Sequence, residues 1–255
     1  MLRKSDSHFD VRNISELKQP LPRAGGGSSP CSACAVRQLT FCAPLDQQEL
    51  HQLSAIVTST ELVPRDPLFD EGEPAEYMFN VTAGTMKIYK LLPDGRRQVT
   101  GFLFAGDFLG LANNETYAYS AEAVTHVALC RFPRRKLERL LERYPKLEKR
   151  LLSMASHELA AAQEQMLLLG RKTAKEKIVS FLLSLGERAT RRGQNGNPVN
   201  VSMSRTDIGD YLGLTTETVS RTFTQLKGAG LISLRPGGKV QLSDTEALTD
   251  IAEGM

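Results

Sequence analysis

The sequence predicts an α+β fold in three consecutive parts: an antiparallel β-roll (jelly roll), a long helix, and a C-terminal winged helix-turn-helix. Three observations predict it. Between Glu61 and Phe132, short β-rich runs alternate with turn signals about every 8–12 residues. From Leu152 to Leu169, apolar and small residues step by three and four positions. From Ser204 to Lys227, two short helical patterns flank Gly213.

Residues 1–30 read as a disordered N-terminal tail, because Pro20-Leu-Pro-Arg-Ala-Gly-Gly-Gly-Ser-Ser-Pro30 offers breakers and nothing periodic to bury. Residues 31–133 read as a cysteine loop plus the β-roll. A short helix fits from Asp46 to about Val57, with Leu50, Leu53 and Ile56 at helical spacing. Strand signals follow, among them Tyr77-Met-Phe-Asn-Val and Met86-Lys-Ile-Tyr-Lys-Leu. Pro93-Asp94-Gly95 predicts a hairpin, and Ala105-Gly106-Asp107 a further turn.

Residues 134–170 predict a long helix broken near Tyr144-Pro145. Within it Leu152, Ala155, Leu159, Ala162, Met166 and Leu169 form a two-position heptad seam, narrower than the face a helix lays on a globular core. The plainer reading is a stripe that covers the β-roll; the small Ala155 and Ala162, which let two backbones approach, favour a homodimer seam instead. Glu158, Gln163, Glu164 and Gln165 make the opposite face polar.

Residues 171–243 predict the winged helix-turn-helix. A helix from Ala174 to about Ala189 turns Ile178, Phe181, Leu182 and Leu185 inward. Ser204-Arg-Thr-Asp207 is a capping box opening the next helix. Gly213 makes the turn, and a second helix runs from Glu217 to about Lys227, burying Val219, Phe223 and Leu226. Leu231 to Leu242, with a cationic tip near Arg235, reads as the wing. Residues 244–255 read as a C-terminal tail.

Composition bounds the function. The 255 residues carry net charge +3, so affinity for nucleic acid depends on local placement of Arg and Lys. No run approaches the ~18 apolar residues of a membrane span. The N-terminus lacks the apolar core of a signal peptide. A cytoplasmic setting, where thiols stay reduced, is therefore expected, and the cysteines point to metal or redox chemistry. No nucleophile–base pair or phosphate loop supports an enzyme.

Cys31, Cys34 and Cys42 form a C-x2-C-x7-C run, with Cys130 far along the chain. Four thiols suit an iron–sulfur cluster or a structural zinc ion. Thiols sensing oxidants directly are a further reading, and Cys130 by itself fits an inert buried thiol. His8, His51, His126 and His157 are scattered and read as structural or surface residues.

The predicted second helix of the motif enters a DNA major groove in proteins of this architecture. Glu217, Ser220 and Arg221 lie on adjoining positions of one face and are the candidate base readers: Arg for guanine, a carboxylate for cytosine. Thr216, Arg205, Arg171, Lys172, Lys175 and Lys227 are candidate backbone contacts, which position without specifying.

Ile208-Gly-Asp-Tyr-Leu-Gly-Leu-Thr-Thr-Glu-Thr-Val-Ser-Arg221 and Gly106-Asp107-Phe-Leu-Gly110 resemble the CRP/FNR superfamily of bacterial transcription regulators, over about residues 31–242. Glu217, Ser220 and Arg221 match the E-x-x-S-R readers of its FNR/FixK branch. The resemblance implies a β-roll of the cyclic-nucleotide-binding type and a homodimer on double-stranded DNA sites of the type TTGAT-N4-ATCAA. It also implies contacts with RNA polymerase from β-roll and wing loops. An oxygen-labile [4Fe–4S] cluster on Cys31, Cys34, Cys42 and Cys130 is implied in the same way. The seven-residue spacing between Cys34 and Cys42 departs from the best-known members and resembles the FnrN/FixK/AadR subtype. Leu111 and Tyr119 stand where cyclic-nucleotide members need Glu and Arg, so no cyclic nucleotide is expected.

Overall fold

The computed structural model describes residues 31, 33–110 and 115–254. The tail read over residues 1–30 lies outside the described residues, as does Leu111. The roll is built from β1 (Thr58–Leu62), β2 (Pro67–Phe69), β3 (Tyr77–Ala83), β4 (Thr85–Leu91), β5 (Arg97–Phe104), β6 (Phe108–Leu109), β7 (Ser120–Ala123) and β8 (Val127–Pro133). They make two antiparallel sheets, ordered β1-β8-β3-β6 and β2-β7-β4-β5. Between the sheets lie Val81, Met86, Leu109 and Leu129, and Phe69 stacks on Tyr117 at 3.6 Å. Gly84, at φ +86°, turns β3 into β4 where an added Cβ would meet the His126 carbonyl oxygen at 2.1 Å.

Strands β3 and β8 are buried on both sides. Alternation sends Phe79, Val81 and Leu129 into the roll. Met78, Asn80, Cys130 and Phe132 point to the outer face. Three helices cover that face: α1 (Gln47–Ser54), α2 (Arg134–Arg143) and the first turns of α3 (Pro145–Arg171). Their Leu50, Leu53, Leu137, Leu147 and Leu151 form a second core with Phe41. A capping box of Asp46 and Glu49 starts α1. Non-helical Tyr144 followed by Pro145 separates α2 from α3, as the sequence predicts.

Beyond Met154, which still packs against it, α3 leaves this core. Leu152, Leu159 and Met166 are 67, 61 and 64 % exposed. Ala162 is exposed as well, while Ala155 is half-buried and Leu169 reaches the Gly213 turn. Gln165, read as part of a polar outer face, instead donates to the Tyr211 carbonyl at 3.0 Å and ties α3 to the C-terminal part.

The third core gathers α4 (Ala174–Arg191), β9 (Val199–Asn200), α5 (Arg205–Leu212), α6 (Thr216–Gly228), β10 (Ile232–Arg235), β11 (Lys239–Leu242) and α7 (Thr245–Glu253). Val99 and Phe102 of β5 join it, so the C-terminal part is seated on the roll. Charges fasten this seat. Lys87 Nζ lies 2.8 Å from both Glu122 and Asp207, and Arg97 pairs with Asp210 at 3.0 Å. Burial pushes the Asp207 carboxyl up, but hydrogen bonds from Lys87 and Ser204 bring it below its ordinary value. On the other side of the seat, Arg188 and Arg192 each approach Asp107 at 2.9 Å.

One expectation is corrected. Residues 244–255 are not a tail, because Asp244 caps α7 by accepting from the Ala247 N–H at 3.0 Å. Leu248 and Ala252 are buried, with Ile251 packed beside them. That i, i+3, i+4 spacing is an amphipathic stripe, and the core of α4 supplies the surface that it covers.

Candidate functional site

The four cysteines meet at one place. A 3-10 turn, Arg37–Leu39, fits within the seven residues separating Cys34 from Cys42. Phe41 anchors the loop, with its ring 5.0 Å from Phe108 and 5.3 Å from Phe132, both edge-on. Leu39 closes the other side of the loop against Gly106, where a Cβ would lie 2.7 Å from Leu39 Cβ. Register on the outer sheet places Ser59 and Asn80 on either side of Cys130. Cys31, Cys34, Cys42 and Cys130, with Ser59, Asn80 and Thr82, line a cavity of about 110 Å³.

A few polar groups stand in a largely apolar lining. Thr40 Oγ donates to Cys42 Sγ at 3.2 Å, and Asn80 Nδ2 approaches the same sulfur at 3.7 Å. Asn80 Oδ1, Thr82 Oγ1 and Arg37 Nε are buried without a hydrogen-bond partner among the described residues. Burial pushes the Cys42 thiol up to about 11, against the pull of the Thr40 hydroxyl. Burial, then the neighbouring thiols, pushes Cys130 up to about 12. Both are neutral at pH 7 in the metal-free chain, so taking up a metal releases protons. Among the described residues, no three His, Cys, Asp or Glu side chains are drawn together as a single-ion site. Unpaired buried polar atoms beside four soft donors fit a bound soft-metal group larger than one ion.

The second candidate site is the helix-turn-helix. Ser204 Oγ accepts from the Asp207 N–H at 3.0 Å and starts α5. We expect Ser204→Ala to lower stability by about 1 kcal/mol in thermal unfolding, the usual worth of an N-cap. Gly213 sits at φ +64° in the left-handed region. A Cβ on Gly209 would lie 2.6 Å from the Leu214 carbonyl oxygen, so only glycine lets the turn close this tightly. Thr215 caps α6 through the Thr218 N–H. Val219, Phe223 and Leu226 are buried, which leaves Thr216, Glu217, Ser220 and Arg221 exposed on the opposite side.

The candidate phosphate contacts divide. Arg171, Lys175 and Lys227 are exposed. The guanidinium of Arg205 stacks on the Phe223 ring at 3.4 Å, half-buried. Lys172 is corrected: its ammonium donates to Ser180 Oγ and the Ala252 carbonyl, both at 2.8 Å. It is a tether between α4 and α7 rather than an open phosphate contact. The sequence reading missed Thr40, Asn80 and Phe41 around the sulfurs. The only signal for Asn80 was a polar residue inside the apolar run Met78-Phe-Asn-Val81.

Comparison with known proteins places this geometry. Residues 59–144 match the cyclic nucleotide-binding domain family, and residues 176–251 the Crp-like helix-turn-helix domain family. The chain is 42% identical over 205 residues to the transcriptional activatory protein AadR of Rhodopseudomonas palustris, covering 80% of this chain and 86% of AadR. It is 41% identical over 208 residues to the nitrogen fixation regulation protein FixK of Bradyrhizobium diazoefficiens, covering 82% and 88%. The solved structure of FixK2 from Bradyrhizobium japonicum superposes with a TM-score of 0.72 at 36% identity, covering 77% of this chain and 97% of FixK2. With both domains matched in order and curated relatives matched over most of their length, the chain belongs to the CRP/FNR family of DNA-binding transcription regulators.

Proposed function

We propose that this regulator responds to oxygen through a [4Fe–4S] cluster held by Cys31, Cys34, Cys42 and Cys130, and binds near-palindromic TTGAT-N4-ATCAA-type DNA as a homodimer. The observation that carries the reading is the cavity shared by all four thiols. Its volume admits several water-sized bodies at ~10–15 Å³ each, more than a single zinc ion occupies. When bound, such a cluster supplies oxygen-labile iron–thiolate bonds between the loop and β8.

The chain's own residues do the rest. With its sulfurs engaged, the loop is held to the outer sheet at Cys31, Cys34 and Cys42 as well as at Phe41. Phe41 shares its core with Leu147 and Leu151, so the seating of the loop bears on the first turns of α3. The same helix carries the exposed seam from Leu152 to Leu169. Pairing along that seam sets two α6 helices about one DNA turn (~34 Å) apart. A bias of ~1–3 kcal/mol toward pairing gives a ~5- to 150-fold switch. Tyr119 supports an effector other than a cyclic nucleotide, because its hydroxyl accepts from the Gly110 N–H at 3.2 Å where the family pattern expects an arginine.

The test is anaerobic purification with iron and sulfide analysis, then binding to a TTGAT-N4-ATCAA duplex before and after exposure to air. Stoichiometric iron and sulfide with binding lost in air support the reading. A colourless zinc protein with binding indifferent to air sinks it and leaves a zinc-containing or thiol-redox regulator. In the same assay, Arg221→Ala is expected to cost about 1–3 kcal/mol per half-site and to relax the preference for its guanine.

A further inference from the structure

Asn80 is 1 % exposed at the middle of the outer sheet, paired by register with Cys130 on β8 and Phe108 on β6. Burying an amide without full compensation costs about 1–3 kcal/mol. An asparagine between Phe79 and Val81 therefore needs a partner. Among the described residues it has half of one: Nδ2 lies 3.7 Å from Cys42 Sγ, and Oδ1 is unpaired.

A neutral thiol is a weak acceptor, whereas an anionic or metal-bound sulfur accepts a charge-assisted bond. The Asn80 amide, 3.7 Å from Cys42 Sγ, is therefore better satisfied when that sulfur is a ligand. Thr40 contacts the same sulfur but cannot do the same work. Its single hydroxyl hydrogen is divided between Cys42 Sγ and the Arg37 carbonyl, at 3.2 and 2.8 Å. Thr40 also belongs to the cysteine loop itself, two residues from Cys42. Asn80 belongs to β3, so its bond crosses from the sheet to the loop.

We propose that Asn80 is a positioning residue that donates an N–H to the Cys42 ligand sulfur and raises the reduction potential of the bound cluster. The inference rests on the iron–sulfur reading above. Hydrogen bonds to cluster sulfurs are among the protein's levers on potential. The sign follows from charge: a donor dipole aimed at sulfur stabilises the more negative, reduced state. Removing the donor lowers the potential and favours the oxidised state.

The test uses full-length wild type and the variants Asn80→Leu and Asn80→Ser, prepared without oxygen. Leucine has the same branched shape as asparagine, though it is bulkier, and removes both the donor and the unpaired acceptor. Serine keeps a shorter-reaching donor. Three quantities are read: iron and sulfide per chain, the ratio of reduced to oxidised cluster at a fixed ambient potential, and the shift of the iron–thiolate Raman bands in deuterated water. Asn80→Leu is expected to load iron as wild type does and to lose part of the deuterium shift. Its reduced-to-oxidised ratio is expected to fall about three- to tenfold, tenfold being 59 mV for one electron. Asn80→Ser is expected to fall between the two.

A leucine variant with wild-type ratio and wild-type deuterium shift overturns the role of Asn80 while leaving the cluster in place. If the leucine variant retains no iron, the serine variant decides: an unchanged ratio overturns the inference and a lowered one upholds it. Wild type without iron and sulfide removes the cluster reading, and this inference with it.

Discussion

Cys130→Ser is expected to keep the fold and lose the cofactor: iron and sulfide fall to background, and anaerobic operator binding drops by at least about tenfold, within the range of a ~1–3 kcal/mol coupling. The reason lies in where Cys130 sits. Cys31, Cys34 and Cys42 belong to the loop, whereas Cys130 belongs to β8, paired on both sides by β1 and β3. Of the four thiols, it is the one on the scaffold, so a group bound to all four would join loop to scaffold through it. Serine is close in size, and Ser59 already shows that a hydroxyl is accepted in the adjoining register position. Unfolding should therefore be little changed, and loss of iron cannot be put down to loss of fold. Iron analysis, circular dichroism melting and anaerobic gel-shift assays on one preparation decide the matter. Retained iron with wild-type binding would remove Cys130 from the ligand set.

Much of the architecture was legible because it is written in short-range patterns. The capping boxes at Asp46 and Ser204, the break at Tyr144-Pro145 and the Gly213 turn each depend on residues a few positions apart. What the sequence hid depends on distant partners. That Lys172 is occupied by Ser180 and Ala252 follows from α7, a stretch that sequence reading gives as a tail, lying across α4. Its stripe of Leu248, Ile251 and Ala252 was visible but short, and an isolated helix of that length is marginal without the surface it covers. The C-x2-C-x7-C run announces a soft-ligand site, yet residue spacing alone leaves iron–sulfur, zinc and free thiols open. Cys130 was assigned to the set through the family resemblance. What brings it to Cys42 is the packing of the loop over β3 and β8, a contact some ninety residues apart in the chain that no local pattern encodes.

The same distinction governs the last expected result, that Leu159→Glu weakens self-association by at least about 100-fold and takes palindrome binding with it. Helix α3 is anchored to the roll through Leu147, Leu151 and Met154 in its first turns, with Gln165, Leu168 and Leu169 reaching the C-terminal part. Between them Leu152, Leu159 and Met166 stand more than 60 % exposed. An apolar row left this exposed along a helix marks a surface awaiting a partner. A two-fold seam counts each side chain twice. Covering a largely exposed leucine is worth ~1.5–3 kcal/mol if burial is complete, so losing two accounts for about two decades in Kd at 1.4 kcal/mol each. Facing carboxylates add repulsion. Leu159 already sits in solvent within one chain, so its replacement leaves the protomer's cores intact. Sedimentation should show a folded monomer that still contacts a single half-site weakly but no longer holds a palindrome. A variant that remains dimeric would move the interface off this seam. A variant that is monomeric yet binds the palindrome as wild type does would break the link between pairing and DNA reading.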